Sequence, residues 1–176
     1  MANKPSTPVV LVIVALVATA GASGPGGAQA NHKCDPVDPI SDVGWSVVPS
    51  LTPVHGFGLQ ADFESLYMRS IYPGQSWLIM SAGPRFNMAP RKRFTPFIFA
   101  EAGEARLEAQ HKSNVDWEPV AKAGFGFQSR LTRYIGVTLV PAEWMGLRYD
   151  YNGSWDQSFT ARIGLTFYLN GKTSAL

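Results

Sequence analysis

The sequence predicts an all-β protein, an antiparallel up-and-down transmembrane β-barrel of about eight strands. Segment 157–169 alternates at every position between apolar and polar side chains, which is the period-two pattern of a strand with two different faces. This segment is longer than the usual soluble strand of about 5–6 residues. It is long enough to cross a bilayer, which takes about 9–11 residues. Several further segments share its length and pattern, and all follow a segment typical of an export signal.

The N-terminal part of the chain is typical of a secretory signal peptide. Lys4 precedes an apolar run over 9–18, which is too short to span a bilayer as a helix, since that takes about 20 residues. Ala28-Gln29-Ala30 has the small-x-small form of a cleavage site, so we predict a mature chain that starts at Asn31. An uncleaved anchor is the alternative. Proline and glycine then interrupt regular structure up to residue 42. The predicted organisation is a signal peptide at 1–30, a flexible linker at 31–42, a barrel at 43–170 and a tail at 171–176.

Composition excludes several classes of function. All basic residues except Lys4 remain after cleavage, which leaves 14 Lys and Arg against 13 Asp and Glu, and this balance gives no electrostatic basis for nucleic-acid binding. The single cysteine, Cys34, cannot form an internal disulfide, and we expect a free thiol. The three histidines are scattered without metal-ligand spacing. We therefore expect no metal and no other cofactor.

Five more segments alternate like 157–169. Their apolar faces comprise Phe57, Leu59, Ala61 and Phe63; Leu78, Met80, Ala82, Phe86 and Met88; Phe97, Phe99, Gly103, Ala105, Leu107 and Ala109; Trp117, Ala121, Ala123, Phe125, Phe127 and Leu131; and Ile135, Val137 and Leu139. Short connections such as Thr132-Arg133 favour antiparallel pairing of consecutive strands. A weaker seventh strand covers 43–49. An eighth strand comes from one of three sources: segment 31–42, a differently bent region at 144–151, or the run at 9–18 in a strand position.

Alternation alone does not decide which face is inside, because a soluble lipocalin-type barrel alternates too, with its apolar face inward. Glycine suits a narrow lumen better than a solvated outer surface, and six glycines lie on the polar face: Gly58, Gly83, Gly124, Gly126, Gly136 and Gly164. The same face carries both charge signs, which can pair when buried together: Asp62, Glu64, Glu104, Glu108 and Glu118, with Arg85, Arg106, Lys122, Arg130 and Arg162. We therefore predict that the polar face lines the lumen and the apolar face contacts lipid. Glu101 conflicts with this assignment, because it falls on the apolar face.

Aromatic side chains gather near the predicted strand ends, as in the interface girdles of membrane barrels. They are Tyr67, Tyr72, Trp77, Phe94, Trp117, Tyr134, Trp144, Tyr149, Tyr151 and Trp155.

Several motifs resemble small outer-membrane barrels of the OmpA-like porin family. They are Gly83-Pro84-Arg85-Phe86, Thr95-Pro96-Phe97, Ala123-Gly124-Phe125-Gly126 and the ending Arg162-Ile163-Gly164-Leu165-Thr166-Phe167. The resemblance covers about 56–169 and implies the transmembrane barrel domain alone. Two features depart from the family pattern: the first strand is not recognisable, and the chain continues beyond its last aromatic residue.

One motif has an enzymatic counterpart. His111-Lys112-Ser113-Asn114 resembles the His-x-Ser-Asn motif of outer-membrane lipid A deacylases, in which a histidine activates a serine nucleophile. In that family the motif belongs to the penultimate strand, whereas here it lies in a loop-like stretch. Glu104 and Glu108 fit a lumen ion-pair ladder better than an acid–base pair. We assign no catalytic, cofactor-binding or metal-binding residue.

The expected function is that of a Gram-negative outer-membrane protein with a structural or surface role. Charged side chains are expected to plug its lumen, and no catalysis is expected. Its expected partners are outer-membrane lipids, lipopolysaccharide and the barrel-assembly machinery, and we expect a monomer without nucleic acid. The alternatives are an exported soluble lipocalin-like barrel that binds a small apolar ligand, and a lipid A deacylase-like esterase.

Overall fold

The computed structural model describes residues 9–21, 42–54, 56–68, 76–89, 93–108, 116–148 and 155–168. These residues form eight strands: β1 Val9–Gly21, β2 Asp42–Val54, β3 Phe57–Met68, β4 Ser76–Asn87, β5 Phe94–Glu108, β6 Asp116–Arg130, β7 Ile135–Arg148 and β8 Trp155–Tyr168. Each strand pairs antiparallel with its neighbours in sequence order, and β1 pairs with β8 to close the barrel. The predicted fold class is confirmed. None of the described segments is a helix long and apolar enough to cross a membrane.

The strand that closes the barrel is the segment predicted to be the core of a signal peptide. In β1, Val12 pairs with Val48 of β2 on one side and with Thr166 of β8 on the other. The eighth strand thus comes from the run at 9–18, one of the three predicted sources, and the predicted barrel boundary at residue 43 leaves this strand out. A run rich in valine suits both an export signal and a strand, because β-branched residues favour extended backbone. Cleavage after Ala30 would remove β1, so cleavage and this barrel exclude each other. Segments 22–41 and 169–176 lie outside the described residues.

The two ends of the barrel differ in their connections. Strands are joined at one end by the short segments 55–56, 88–93 and 131–134, and we call this the short-turn end. The other end carries the connections 22–41, 69–75, 109–115 and 149–154, and we call it the long-loop end. The start of β1 and the finish of β8 meet at the short-turn end, where Val10 pairs with Tyr168. Gly56 has a φ of 92° in the first short connection, a conformation that favours glycine.

The predicted orientation of the two faces is confirmed. On β3, Phe57 and Leu59 are more than half exposed, whereas Asp62 and Glu64 are completely buried. On β8, Ile163 is 51 % exposed and Arg162 only 4 %. Apolar side chains thus point outward and polar side chains point into the lumen. The inverted orientation required by a lipocalin-like barrel is wrong for this chain.

Strand β5 is the exception, because its predicted faces are reversed. Phe97 and Phe99 are buried in the lumen, whereas Glu104, predicted to be inside, is exposed. The two phenylalanines pair in register with Gly126 and Gly124 of β6, whose missing side chains leave room for the rings. The reversal also removes the conflict over Glu101, which lies inside the lumen and is 5 % exposed.

Strand β7 contains an irregularity that shifts its alternation. The pairing register with β8 shifts between Val140 and Glu143, on either side of Pro141-Ala142. Thr138 and Val140 are buried before the shift, and Glu143 and Met145 are buried after it. The strand continues to Arg148, so the described part of the region from residue 144 belongs to β7 and does not supply the eighth strand.

The lumen is filled in layers along the barrel axis. Four members of one apolar cluster, Leu66, Ile79, Val120 and Leu147, lie near the long-loop end, and Trp77 packs against the cluster, which also includes Tyr168 at the short-turn end. Charged side chains occupy the middle. A second apolar cluster of Phe97, Phe99 and Val140 lies toward the short-turn end.

Candidate functional site: the mid-lumen charge cluster

Five charged side chains from four strands meet in the middle of the lumen. Strand alternation places Asp62 and Glu64 on the inner face of β3, and it places Lys122, Glu143 and Arg162 on the inner faces of β6, β7 and β8. Each of the five is at most 4 % exposed. We call this group the mid-lumen cluster. Its members are far apart in sequence, so only closure of the barrel brings them together.

Lys122 is the centre of the mid-lumen cluster. Its Nζ donates hydrogen bonds to Asp62 Oδ2 at 3.2 Å and to Glu64 Oε2, and it lies 3.7 Å from Glu143 Oε1. An ammonium group has three donors, which matches three surrounding carboxylates. A buried lysine requires such compensation, since an isolated ammonium in a dry interior is very costly.

Arg162 connects the same acids from another direction. Its Nη1 donates to Asp62 Oδ2 and its Nη2 donates to Glu143 Oε2, so Asp62 is shared by both bases. The planar guanidinium is suited to bridging two carboxylates in a fixed geometry. Three acids therefore face two bases, and the cluster has a formal charge of −1 when every member is ionised.

A second polar network lies between the mid-lumen cluster and the short-turn end. Arg85 donates to Asn87 Oδ1 at 2.9 Å, to Gln128 Oε1 at 3.0 Å and to Gln60 Oε1 at 3.4 Å, and its guanidinium lies 3.7 Å from the centre of the Phe97 ring. We call this group the Arg85 network.

The Arg85 network also anchors Glu101. Gln60 Nε2 donates to Glu101 Oε1 at 2.6 Å, and Ser81 Oγ donates to Glu101 Oε2 at 2.7 Å. Gln60 thus links the buried arginine to the buried acid without direct contact between them. Such bridging gives both buried charged groups hydrogen-bond partners, as buried polar groups require.

Between the two networks lies a small cavity. Its volume of about 20 Å³ is enough for about one water molecule. The walls combine the apolar Val48, Phe99 and Val140 with the polar Thr138 and Arg162. A cavity of this size cannot admit a lipid or a sugar.

The acids of the mid-lumen cluster also have the arrangement of a possible metal site. Ligand atoms of Asp62, Glu64 and Glu143 lie within 4.8 Å of one another. Lys122 and Arg162 already contact all three carboxylates, so side-chain cations occupy the position that a metal ion would need. The geometry is that of an ion-pair cluster.

The predicted lumen charges are mostly found inside. Asp62, Glu64, Arg85, Glu118, Lys122 and Arg162 are buried and Arg130 is half-buried, whereas Glu104 and the half-buried Arg106 lie on the outer face of β5. The side chain of Glu108 lies outside the described part of the chain. Two buried acids were missed: Glu101, because the faces of β5 were reversed, and Glu143, because of the shift in β7. Pro141 was the available signal for the shift, since proline within a strand marks an edge or a bulge. His111 and Ser113 lie outside the described residues.

The predicted aromatic positions separate into three groups. Phe94, Trp117, Tyr134 and Trp155 are 44–55 % exposed on the outer surface. Trp144 faces outward and donates from Nε1 to Gln157 Oε1 at 3.4 Å. Trp77 points inward and belongs to the lumen packing. The described structure does not include Tyr72, Tyr149, Tyr151 or the side chain of Tyr67.

The fold is shared with solved outer-membrane β-barrels. Neisserial surface protein A superimposes with a TM-score of 0.62 at 6 % identity, over 92 % of this chain and 95 % of that chain. The N-terminal β-barrel domain of OprF from Pseudomonas aeruginosa gives 0.57 at 10 % identity, over 92 % and 97 %. The outer membrane protein OprG from the same organism gives 0.53 at 8 % identity, over 96 % and 98 %. No protein-family model and no curated protein matches the sequence. The likeness therefore shows the fold alone, and the OmpA-like resemblance stays a prediction.

Proposed function

We propose that the chain is an outer-membrane β-barrel protein with a structural or surface role and without catalysis. The single observation that carries the proposal is the outward-facing apolar belt. Large hydrophobic side chains that are at least 40 % exposed occur on every strand from β2 to β8, and on the β6–β7 connection. A monomeric soluble protein rarely exposes a continuous apolar surface of this kind. Contact with lipid hydrocarbon stabilises it.

Aromatic side chains at both edges of the belt support membrane placement. Trp117 and Trp155 lie at strand ends on the long-loop side, and Phe57, Phe94 and Tyr134 lie at the short-turn side. Transmembrane barrels carry aromatic girdles at both interfaces, because these rings tolerate the boundary between headgroups and hydrocarbon. The strands between the two girdles, such as β3 with 12 residues and β5 with 15, are long enough to cross a bilayer, which takes about 9–11 residues.

The connections suggest which end faces which compartment. Bacterial outer-membrane barrels have short periplasmic turns and longer extracellular loops. On that basis the short-turn end is periplasmic and the long-loop end contacts lipopolysaccharide. The proposed partners are accordingly outer-membrane lipids, lipopolysaccharide and the barrel-assembly machinery, and the proposed state is a monomer.

The lumen packing supports a barrel that does not conduct solutes. Eight strands leave an interior just wide enough for side chains. Here the mid-lumen cluster, the Arg85 network and the apolar cluster at the long-loop end follow one another along the axis. A solute would have to separate Lys122 from its carboxylates to pass. We therefore propose that the lumen is plugged.

Fractionation and reconstitution test the proposal. Cells that express the chain are separated into soluble, inner-membrane and outer-membrane fractions, and the purified protein is examined with and without detergent. We expect it in the outer membrane, resistant to alkaline extraction and aggregated without detergent. Liposomes containing the protein should take up small sugars no faster than liposomes with heat-denatured protein. A monodisperse protein in detergent-free buffer would refute membrane placement, and fast sugar uptake would refute the plugged lumen.

A further inference from the structure

The charges of the chain are distributed unequally between the two ends of the barrel. The short connections 88–93 and 131–134 contain Arg91, Lys92, Arg93 and Arg133 and no acid, and the nearest acid on the strands that they join is several residues away. At the long-loop end, by contrast, β2 and β6 begin with aspartate, and β5 ends with glutamate. The sequences of these two connections at the short-turn end therefore carry only basic charges.

Two of these arginines occupy neighbouring connections held together by the backbone. The amide N–H of Arg130 donates to the carbonyl of Arg93 at 2.8 Å, which joins the β4–β5 connection to the end of β6. Arg93 and Arg133 are both exposed. We call Arg93 and Arg133 the basic collar.

Exposed apolar side chains adjoin the basic collar. Phe94 follows Arg93 and is 52 % exposed, whereas Leu131 and Tyr134 flank Arg133 and are 65 % and 55 % exposed. The guanidinium of Arg133 lies 5.6 Å from the centre of the Tyr134 ring. Since aromatic rings at strand ends lie at headgroup depth in a bilayer, a barrel in a membrane would hold both guanidinium groups at the depth of the lipid phosphates.

We propose that the basic collar binds the phosphates of anionic glycerophospholipid headgroups in the leaflet that surrounds the short-turn end. Guanidinium groups bind phosphate oxygens through paired N–H donors. A net negative headgroup is preferred over a zwitterionic one because no ammonium group of the lipid opposes the arginine. The inference rests on the proposed function, since it requires the barrel to be in a bilayer.

Spin-labelled lipids measure this preference directly. The full chain is reconstituted in phosphatidylcholine bilayers, and electron paramagnetic resonance gives the fraction of labelled phosphatidylglycerol or phosphatidylcholine immobilised on the barrel. A basic residue near an anionic surface contributes up to about fivefold in affinity, so we expect phosphatidylglycerol to associate about two- to fivefold more strongly. High salt should reduce the preference, because the groups are exposed.

Three variants make the test specific. Arg93→Gln/Arg133→Gln should lower the preference to about that of phosphatidylcholine, whereas Arg93→Lys/Arg133→Lys should retain most of it. Arg148→Gln is the matched control, because Arg148 is also exposed but ends β7 at the long-loop end. If the double glutamine variant does not fold, each single glutamine variant should show an intermediate loss.

The outcomes separate this inference from the proposed function. Equal immobilisation of the two lipids by the parent protein, or a preference unchanged in the double glutamine variant, would overturn the basic collar as a lipid site. Immobilisation of neither lipid would overturn membrane placement itself. Purified peptidoglycan, an acidic polymer, is the competing partner. If the protein shows no lipid preference but sediments with peptidoglycan, and the double glutamine variant at Arg93 and Arg133 does not, the inference would also be overturned.

Discussion

Replacement of Lys122 by methionine removes the central cation of the mid-lumen cluster while retaining a side chain of similar length. Lys122 contacts Asp62, Glu64 and Glu143, and all these groups are fully buried. In Lys122→Met, Arg162 alone faces the three acids, and the formal charge of the cluster changes from −1 to −2. Glu64 loses its hydrogen-bond donor in a place that water cannot easily reach, and Asp62 keeps only the hydrogen bond from Arg162.

The size of the effect follows from distance and burial. At an effective dielectric constant of about 20, a unit pair at about 4 Å attracts by about 4 kcal/mol, and Lys122 lies 3.2 Å and 3.7 Å from two of its acids. Burial of the ammonium group opposes this attraction by several kcal/mol. Removal of one partner from a buried ion pair costs about 3–5 kcal/mol, because the remaining charge is uncompensated. We expect a loss of that size in the free energy of unfolding.

Denaturant unfolding in detergent micelles, followed by tryptophan fluorescence, measures the loss. With a slope of about 2 kcal/mol per molar urea, the midpoint should fall by about 1.5–2.5 M. Arg148→Met is the control, since this exposed cation should be nearly neutral in its effect. Adding Glu64→Gln to Lys122→Met restores the formal charge of −1 and should recover part of the loss. An unchanged midpoint in Lys122→Met, or no recovery in the double variant, would refute the assigned ion pairing.

Three other perturbations test the packing, the outer surface and strand β1. Gly126→Ala should destabilise the barrel by about 1–3 kcal/mol, because a Cβ there would lie 2.5 Å from Phe97 Cζ. Adding Phe97→Leu to this variant should recover part of the lost stability. Ile163→Lys places a charge on the lipid side near the middle of β8 and should cost about 2–4 kcal/mol, measured by unfolding in lipid vesicles. A chain lacking residues 1–30 should fail to fold in micelles, because β2 and β8 lose their shared partner, as monitored by heat-dependent gel mobility.

Each of these expectations has its own contrary result. Gly126→Ala with parental stability would mean that Phe97 is not against β6, and Ala123→Val, on the outer face of the same strand, is the control. Ile163→Lys without a cost, or with the same cost as Gln157→Lys near the long-loop end, would contradict the lipid-facing belt. A folded barrel formed by 31–176 would support the predicted signal peptide and exclude β1 from the wall.

Alternation in sequence predicted most of the barrel wall, and it failed where side-chain size mattered more than polarity. The outward face of β8 was predicted correctly because every second residue is apolar. The faces of β5 were reversed because Phe97 and Phe99 are apolar but fill space beside glycines of β6. Val9–Gly21 was assigned to export because an apolar run satisfies the requirements of a signal and of a strand equally well.

The members of the charge cluster were easier to predict than their pairing. Asp62, Glu64, Lys122 and Arg162 were expected inside because they share a face with glycine and small polar residues. Which acid meets which base depends on the register of eight strands, and no local pattern contains that information. Glu143 was missed because the register shift in β7 changes which residues point inward.

Lipid-phase footprinting tests most directly whether the apolar face of this barrel meets hydrocarbon. A carbene precursor in the acyl chains is activated by light in bilayers that contain the unmodified protein, and mass spectrometry locates the adducts. We predict adducts at Phe125, Ile163 and Leu165, which are about half exposed, and none at Lys122 or Arg162. Protection of those three apolar residues in the folded protein would contradict the assigned orientation.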